Sequence, residues 1–323
     1  MSRSSIQQFA FRLSHVALTD TINVSRTLPI IREPQRDPGP PIFERIAIVG
    51  FGLIGGSIAL AVRERFAKGL IIAVDRKDVL ERAMRIHAAD VAADDLVMAA
   101  EADLVVLAAP VRQNIAMLRE LADHVTGEAI VTDVGSTKRH IVEAAQGLPE
   151  RLTFIGGHPL AGAAVGGLPA ARADLFLQRP WMLTPAVADD DPKLLRLAAF
   201  LDGLGARVEV MKPAAHDLLL AHLSHLPQLT ISALMHVIGG HAGVDGLALS
   251  GRGLRDTTRL ASSPPDIWSD IVATNRDYIG RALDDLIAVL QRLRDDDREG
   301  ELQRIFESAA RWKEALESQD ASR

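Results

Sequence analysis

IAIVGFGLIGGS, Ile46 to Ser57, is an apolar β run that breaks into glycines and resumes as a helical run through Phe66. Gly50, Gly52 and Gly55 fit the G-x-G-x-x-G pattern at this strand-to-helix turn. Each glycine has a physical task. Gly50 permits the tight turn, Gly52 lets backbone reach a pyrophosphate, and Gly55 lets the helix pack closely on the strand. Free N–H groups and the macrodipole at the helix N-terminus then favour the anion. A second β run, LIIAVD, ends in Asp75, 20 residues beyond Gly55. A carboxylate there bonds both ribose hydroxyls and repels a 2′-phosphate, which predicts a dinucleotide site for NAD rather than NADP. Arg76 beside it pulls the other way, since an arginine suits a phosphate. The candidate cofactor residues are Gly50, Gly52, Leu53, Ile54, Gly55, Asp75 and Arg76, with Ala109 and Pro110 at the end of a later strand.

Outward from this motif, short β runs alternate with helices. RIAIVG, LIIAVD, DLVVLAAP (Asp103 to Pro110), AIVTDVG (Ala129 to Gly135) and LTFIGG (Leu152 to Gly157) are apolar on both faces, as central strands of a parallel sheet must be. WMLTP (Trp181 to Pro185) and ARVEVM (Ala206 to Met211) extend the sheet, and Leu194, Leu197, Leu201 and Leu204 mark an amphipathic helix between them. The expected fold is α/β, a Rossmann-type doubly wound parallel sheet over residues 43–213, followed by an all-helical domain over 214–323. A helix from Ala214 to Ile238 is apolar on most faces, which predicts burial on most sides. Pro227 cannot donate to the carbonyl of Leu223, so a kink is expected there. Two later helices carry the stripes Leu283, Leu286, Ile287, Leu290, Leu293 and Leu302, Ile305, Phe306, Ala309, Trp312. Such faces suit a second copy, and a homodimer through the helical domain is predicted. Residues 1–42, ending in the proline-rich REPQRDPGPP, read as a flexible tail.

Composition bounds the class. The 323 residues suffice for two well-buried domains, and 48% hydrophobic with 24% charged residues describes an ordinary globular protein. A net charge of −6 without a basic run argues against nucleic acid. With no cysteine, disulfides, thiolate metal sites and cysteine nucleophiles are excluded, which suits the cytoplasm. Charges and glycines break every apolar run below membrane-spanning length, and no secretory signal is read at the N-terminus.

Four segments carry candidate chemistry. In DVGSTK, Asp133 to Lys138, Ser136 is either a helix N-cap or a hydroxyl aimed into the cleft. In GGHPLAG, Gly156 to Gly162, His158 sits in a Gly/Pro loop at the carboxyl end of a strand, the place for a general base. In HLSHLPQL, His222 to Leu229, the polar Ser224, His225 and Gln228 either bond one another or face a ligand cavity, and the kink opens their face towards a pocket. In GRGLRDTTRLASSPPDIW, Arg255 and Arg259 lie one helical turn apart and could hold a substrate carboxylate bidentately. The alternative is pairing with Asp256, Asp266 or Asp270, which is the preferred reading for Arg252. The other histidines, His216 among them, show no metal-ligand spacing and read as solvated or core residues, so no metal is expected.

From Arg45 to about Tyr278 the chain resembles the prephenate and arogenate dehydrogenases, oxidoreductases of tyrosine biosynthesis. The resemblance rests on GFGLIGGS, DVGSTK, GGHPLAG, ARADLFLQRPWMLTP, HDLLLAHLSHLPQ and RDTTRLASSPPDIW, in that order. It implies a dinucleotide-binding domain, an all-helical dimerisation domain, and oxidative decarboxylation of a cyclohexadienol acid. By resemblance His158 accepts the C4 hydroxyl proton while hydride passes to the nicotinamide. Ser136 orients that hydroxyl or the imidazole, Arg259 anchors the carboxylate with Arg255 beside it, and Ser224 and His225 line the pocket. The chain departs from many members at Gln228, where they have a second histidine, and at Ala163, Ala164 and Val165, where they carry charge. A neutral glutamine bonds a keto acid or an amino acid, which suggests that arogenate is accepted, alone or with prephenate. Two other readings compete. A β-hydroxyacid-type dehydrogenase needs a lysine in the helical domain, and none lies between Ala214 and Arg311. A non-catalytic NAD-binding module would not need His158, Ser136 and an arginine fork together.

Overall fold

The computed structural model describes residues 26–27, 41–66, 68–163, 165–296 and 300–320. The expected tail falls mostly outside these, as does Ala164. Within the N-terminal stretch, Arg26–Thr27 (β1) pairs antiparallel with the edge strand Arg207–Val210 (β9).

Strands Arg45–Val49 (β2), Leu70–Val74 (β3), Val91–Ala93 (β4), Leu104–Leu107 (β5), Ala129–Asp133 (β6) and Leu152–Pro159 (β7) run parallel in the order β4-β3-β2-β5-β6-β7. The chain winds from β2 outward to β4, then crosses back to β5. That reversal makes the gap between β2 and β5 the crevice where a doubly wound sheet binds its ligand. Successive residues feed opposite faces of the sheet. Ile46 and Ile48 join a core with helices Leu53–Arg65 (α1), Lys77–Arg85 (α2) and Pro192–Gly203, while Ala47 and Val49 join another with Val111–His124 (α3) and Arg139–Ala145 (α4).

The sheet is mixed rather than wholly parallel. Pro180–Pro185 (β8) runs antiparallel to β7, and β9 runs parallel to β8. The antiparallel step also lengthens β7, so Gly156, Gly157 and His158 lie in a strand, not in the expected loop, with His158 opposite Met182. Two glycines permit this. A Cβ on Gly157 would lie 2.5 Å from the Asp133 carbonyl oxygen, and one on Gly156 would lie 2.4 Å from the Thr184 hydroxyl.

Helices fill the chain from Pro213 onward. Pro213–Leu220 leads into a π-helical turn, Ala221–His225, and then into Leu226–Ala248. The turn takes the place of the expected kink. Pro227 withholds a donor, and the preceding turn widens until Leu226 N–H reaches the Ala221 carbonyl, five residues back. The long helix outruns its expected end at Ile238, with Gly239 and Gly240 inside it, and breaks at Gly243 (φ +61°) before a last helical piece to Ala248. The expectation that no segment reaches membrane-spanning length therefore fails. Pro213–Ala248 passes by length and composition, with a mean hydropathy of 1.3 over an 18-residue window that is only 22% buried. Burial on most sides is also not found in the single chain. Val237, Val244 and Leu249 are exposed, as are Leu290, Phe306 and Trp312 of the later stripes. Among the described residues a small core, Ala221, Ile271 and Ile279, forms between the helices themselves.

Candidate active site

The glycine loop has the tight turn and the close helix packing expected of it, and open backbone at Gly52. Gly50 has φ +94°, and a Cβ there would stand 2.7 Å from the Ala108 carbonyl carbon, so the turn presses against the end of β5. A Cβ on Gly55 would lie 2.0 Å from the Gly50 carbonyl oxygen, which fixes the close helix-to-strand approach. Around Gly52 nothing lies within 4 Å of the Cβ position, so backbone there is open to a ligand. Helix α1 begins at Leu53 with no side-chain cap and no acidic residue in its first turn. Its N–H groups are left for an anion. Asp75 is oriented by two backbone donors, the N–H of Phe51 at 2.5 Å and of Arg76 at 2.6 Å. The Arg76 side chain is exposed, 3.9 Å from Asp78. Ala109 N–H is held by the buried Asn114 amide, which also donates to the Leu107 carbonyl. These residues fit a dinucleotide: an open pyrophosphate seat, an uncapped helix and an oriented acid on the ribose side.

Registers Val49↔Leu107 and Leu107↔Asp133 bring the carboxyl ends of β2, β5 and β6 into line, with β7 next to β6. At about 4.8 Å per strand, His158 stands roughly 14 Å across this edge from the glycine loop. Ser136 lies between them. It is not the N-cap of α4, because Lys138 holds that place without a side-chain cap bond. The capping acceptor comes from the other domain. Asp217 Oδ1 accepts from Lys138 N–H at 2.7 Å, and Oδ2 accepts from Arg139 N–H at 2.9 Å.

His158 keeps 8% of its surface open, and its Nδ1 is 2.8 Å from His216 Nε2. His216 Nδ1 is 2.9 Å from Asp217 Oδ1, and both residues are fully buried. Burial, then neighbouring His216, Lys138 and His225, push the His158 imidazole well below its ordinary range, so it stands neutral. Under it lies a buried ion pair, Lys138 with Asp133. Asp133 also accepts from Gly135 N–H (2.8 Å) and Gly157 N–H (3.1 Å), and so ties both candidate loops together. His216, Asp217, Lys138 and Asp133 were missed as site residues by sequence reasoning. Their signal was present: ionisable residues in otherwise apolar segments, which need buried partners.

The helical candidates separate. His225 is fully buried, with Nδ1 3.3 Å from the Asn275 amide nitrogen, an edge-on contact with Trp268, and no partner for Nε2 among the described residues. Burial lowers its pKa to about 4. Ser224 beside it is half-buried. The Gln228 amide is engaged by protein. It donates to the Leu260 carbonyl (2.7 Å) and the Ser232 hydroxyl (3.2 Å), and accepts from Ser263 (3.0 Å). It thereby braces the turn Arg259–Ser262. Arg255 and Arg259 are exposed, and among the described residues neither pairs with Asp256, Asp266 or Asp270. Asp270 is instead held by Arg112, through its N–H at 3.2 Å and its side chain at 2.5 Å. Among the described residues no cluster of three metal-ligating side chains forms.

Residues 58–210 match the family "Prephenate dehydrogenase, nucleotide-binding domain", and residues 212–309 match "Prephenate dehydrogenase, dimerization domain". The chain is 36% identical over 283 residues to a prephenate dehydrogenase of Bacillus subtilis (strain 168), covering 84% of this chain and 76% of that protein. Its fold superposes with a TM-score of 0.71 on the arogenate dehydrogenase of Synechocystis, at 31% identity over 84% of this chain and 99% of the other. A TM-score of 0.75 relates it to the prephenate dehydrogenase of A. aeolicus in complex with hydroxyphenyl propionate and NAD+, at 28% identity over 84% and 98% of the two chains.

Proposed function

The chain belongs to the prephenate dehydrogenase family, and on that premise we propose that it carries out NAD-dependent oxidative decarboxylation of prephenate, arogenate or both. Bound NAD supplies the hydride acceptor for C4 of the cyclohexadienol ring. His158 takes the C4 hydroxyl proton as that hydride leaves, and the ring carboxylate departs as carbon dioxide. Ser136 orients the hydroxyl, and Arg259, which forms no ion pair among the described residues, meets substrate carboxylate together with Arg255. The observation that carries the reading is His158 itself: a neutral, nearly buried imidazole on the same sheet edge as an open glycine loop. A neutral imidazole is the form that accepts a proton, and placement does most of the work because aromatisation drives the reaction.

Supporting features extend the reading. Asp75, oriented towards the ribose side, favours NAD over NADP. Residues 43–213 form the cofactor domain and 214–323 the substrate and dimerisation domain, with Arg26–Thr27 of the N-terminal stretch adding a strand to the cofactor-domain sheet. The exposed apolar helices Leu226–Ala248 and Gly300–Asp320 are covered by a second copy. The enzyme is placed in the cytoplasm, in tyrosine biosynthesis. Arogenate is accepted as well as prephenate, with Gln228 acting through the arginine-bearing turn it braces, since both of its amide hydrogens are taken by Leu260 and Ser232. Nicotinamide reduction with each acid, and with NAD and NADP in turn, tests the reaction and both specificities. Turnover with either acid upholds the reaction, whereas a folded protein that binds NADH and turns over neither acid refutes it. A kcat/KM for prephenate far above that for arogenate would remove the arogenate assignment alone.

A further inference from the structure

We propose that His216 is a positioning residue that holds His158 in its Nδ1–H tautomer, so that His158 Nε2 is left as the proton acceptor, with Asp217 orienting the pair through the second ring. This rests on the assignment of His158 as the base. It follows from the order of hydrogen-bond partners. The Asp217 carboxylate has backbone donors on both oxygens and can only accept, so His216 Nδ1 must carry a hydrogen. A neutral His216 then has a lone pair on Nε2, which faces His158 Nδ1 at 2.8 Å. That contact is satisfied only when His158 Nδ1 donates.

The surroundings favour neutral rings. Lys138 and Asp133 lie beneath the pair, His225 approaches from the π-helical turn, and Arg139 binds Asp217 from α4. Burial lowers His216, against the pull of Asp217. His158 and His216 stand 58 residues apart, on β7 and on the first helix beyond the sheet. The tautomer of the base is therefore set across the seam between the domains. When Nε2 takes the substrate proton, the new imidazolium keeps its Nδ1–H on His216, and His216 keeps its own hydrogen on Asp217. No further proton need move for the charge to be shared with the carboxylate.

Two readouts test this. Long-range proton–nitrogen correlation of histidine-labelled protein, assigned by comparison with His158→Asn, should show His158 protonated on Nδ1 in the wild type. In His216→Phe, which keeps ring volume without nitrogens, the His158 hydrogen should move to Nε2 and kcat should fall by about 10², with KM and the NADH Kd within about three-fold. His216→Gln offers an amide oxygen to Nδ1–H, and should restore the tautomer and part of kcat. Wild-type protein carrying the Nε2–H form overturns the proposal, as does His216→Phe with unchanged kcat. Should His216→Phe fail to fold, the wild-type spectrum and the glutamine variant decide. If both cyclohexadienyl acids go unreacted with wild-type enzyme, the function falls, while the spectrum still decides the tautomer.

Discussion

Replacing Asp217 by asparagine tests the seam on which the site is built. The carboxylate is fully buried and takes four donors: Lys138 N–H (2.7 Å) and His216 Nδ1 (2.9 Å) on Oδ1, with Arg139 N–H (2.9 Å) and Arg139 Nε (3.2 Å) on Oδ2. Asparagine keeps one oxygen and turns the other into a donor. Whichever way it faces, two donors lose their acceptor and meet an NH2 group. Bonds to a buried charge contribute about 1.5–3 kcal/mol each, and breaking one member of a buried charged set costs about 3–5 kcal/mol. We expect a loss in that range, a large part of the roughly 5–15 kcal/mol available to a folded domain. The pH dependence has a definite sign. Burial pushes the Asp217 carboxyl up, but the His216 bond and the Arg139 and Lys138 N–H groups outweigh it, so the folded pKa lies below the ordinary value. Its stabilisation is complete above the unfolded pKa of about 4 and is lost as pH falls through the folded value. The deficit of the variant should therefore be full at neutral pH and shrink in acid. Urea unfolding at one fixed protein concentration measures it, since dimer formation would make the midpoint depend on concentration. A neutral-pH loss below about 1 kcal/mol would refute the assignment of Asp217 as the interdomain cap.

Three other substitutions probe separate parts. His158→Asn should lower kcat by about 10² or more while leaving the Kd for NADH unchanged by titration, as expected for removal of a general base. Gly55→Ala places a Cβ 2.0 Å from the Gly50 carbonyl oxygen, a backbone atom that cannot step aside. It should weaken NADH binding by about ten-fold or more and lower the melting temperature, because the helix must lift from the strand; wild-type binding by fluorescence titration would contradict the packing role. Arg259→Ala should raise KM for the acid by about ten-fold or more with the NAD KM unchanged, and equal KM values in steady-state kinetics would remove Arg259 as the carboxylate anchor.

The cofactor half of the site was legible because its physics is local. Gly50, Gly52, Gly55 and Asp75 sit within one β-α-β unit, and strand, turn and helix periodicity fix where each must lie. Strand direction beyond β7 was not legible in the same way. Apolar runs look alike whichever way they pair, so the antiparallel β8 and the lengthening of β7 through His158 came only with the coordinates. The Pro227 irregularity was predicted from a missing donor, and the structure supplies its form, a widened turn rather than a bend.

The proposed base is different in kind. His158 could be singled out on its own, but what holds it could not, since its partner lies 58 residues away in the next domain. His216-Asp217 has no spacing motif. Its only mark is that two ionisable residues interrupt the apolar run PAAHDLLLA, a sign that something outside the helix must receive them. What receives them is the start of α4 and His158 on β7, so one carboxylate caps a helix packed on the sheet and, through His216, holds the proposed base. Domain docking and tautomer selection thereby share an atom, Asp217 Oδ1. A change that separates the domains by even one hydrogen-bond length should release the tautomer before it disturbs the glycine loop, whose tight approaches at Gly50 and Gly55 are to the end of β5, to β2 and to the loop's own backbone.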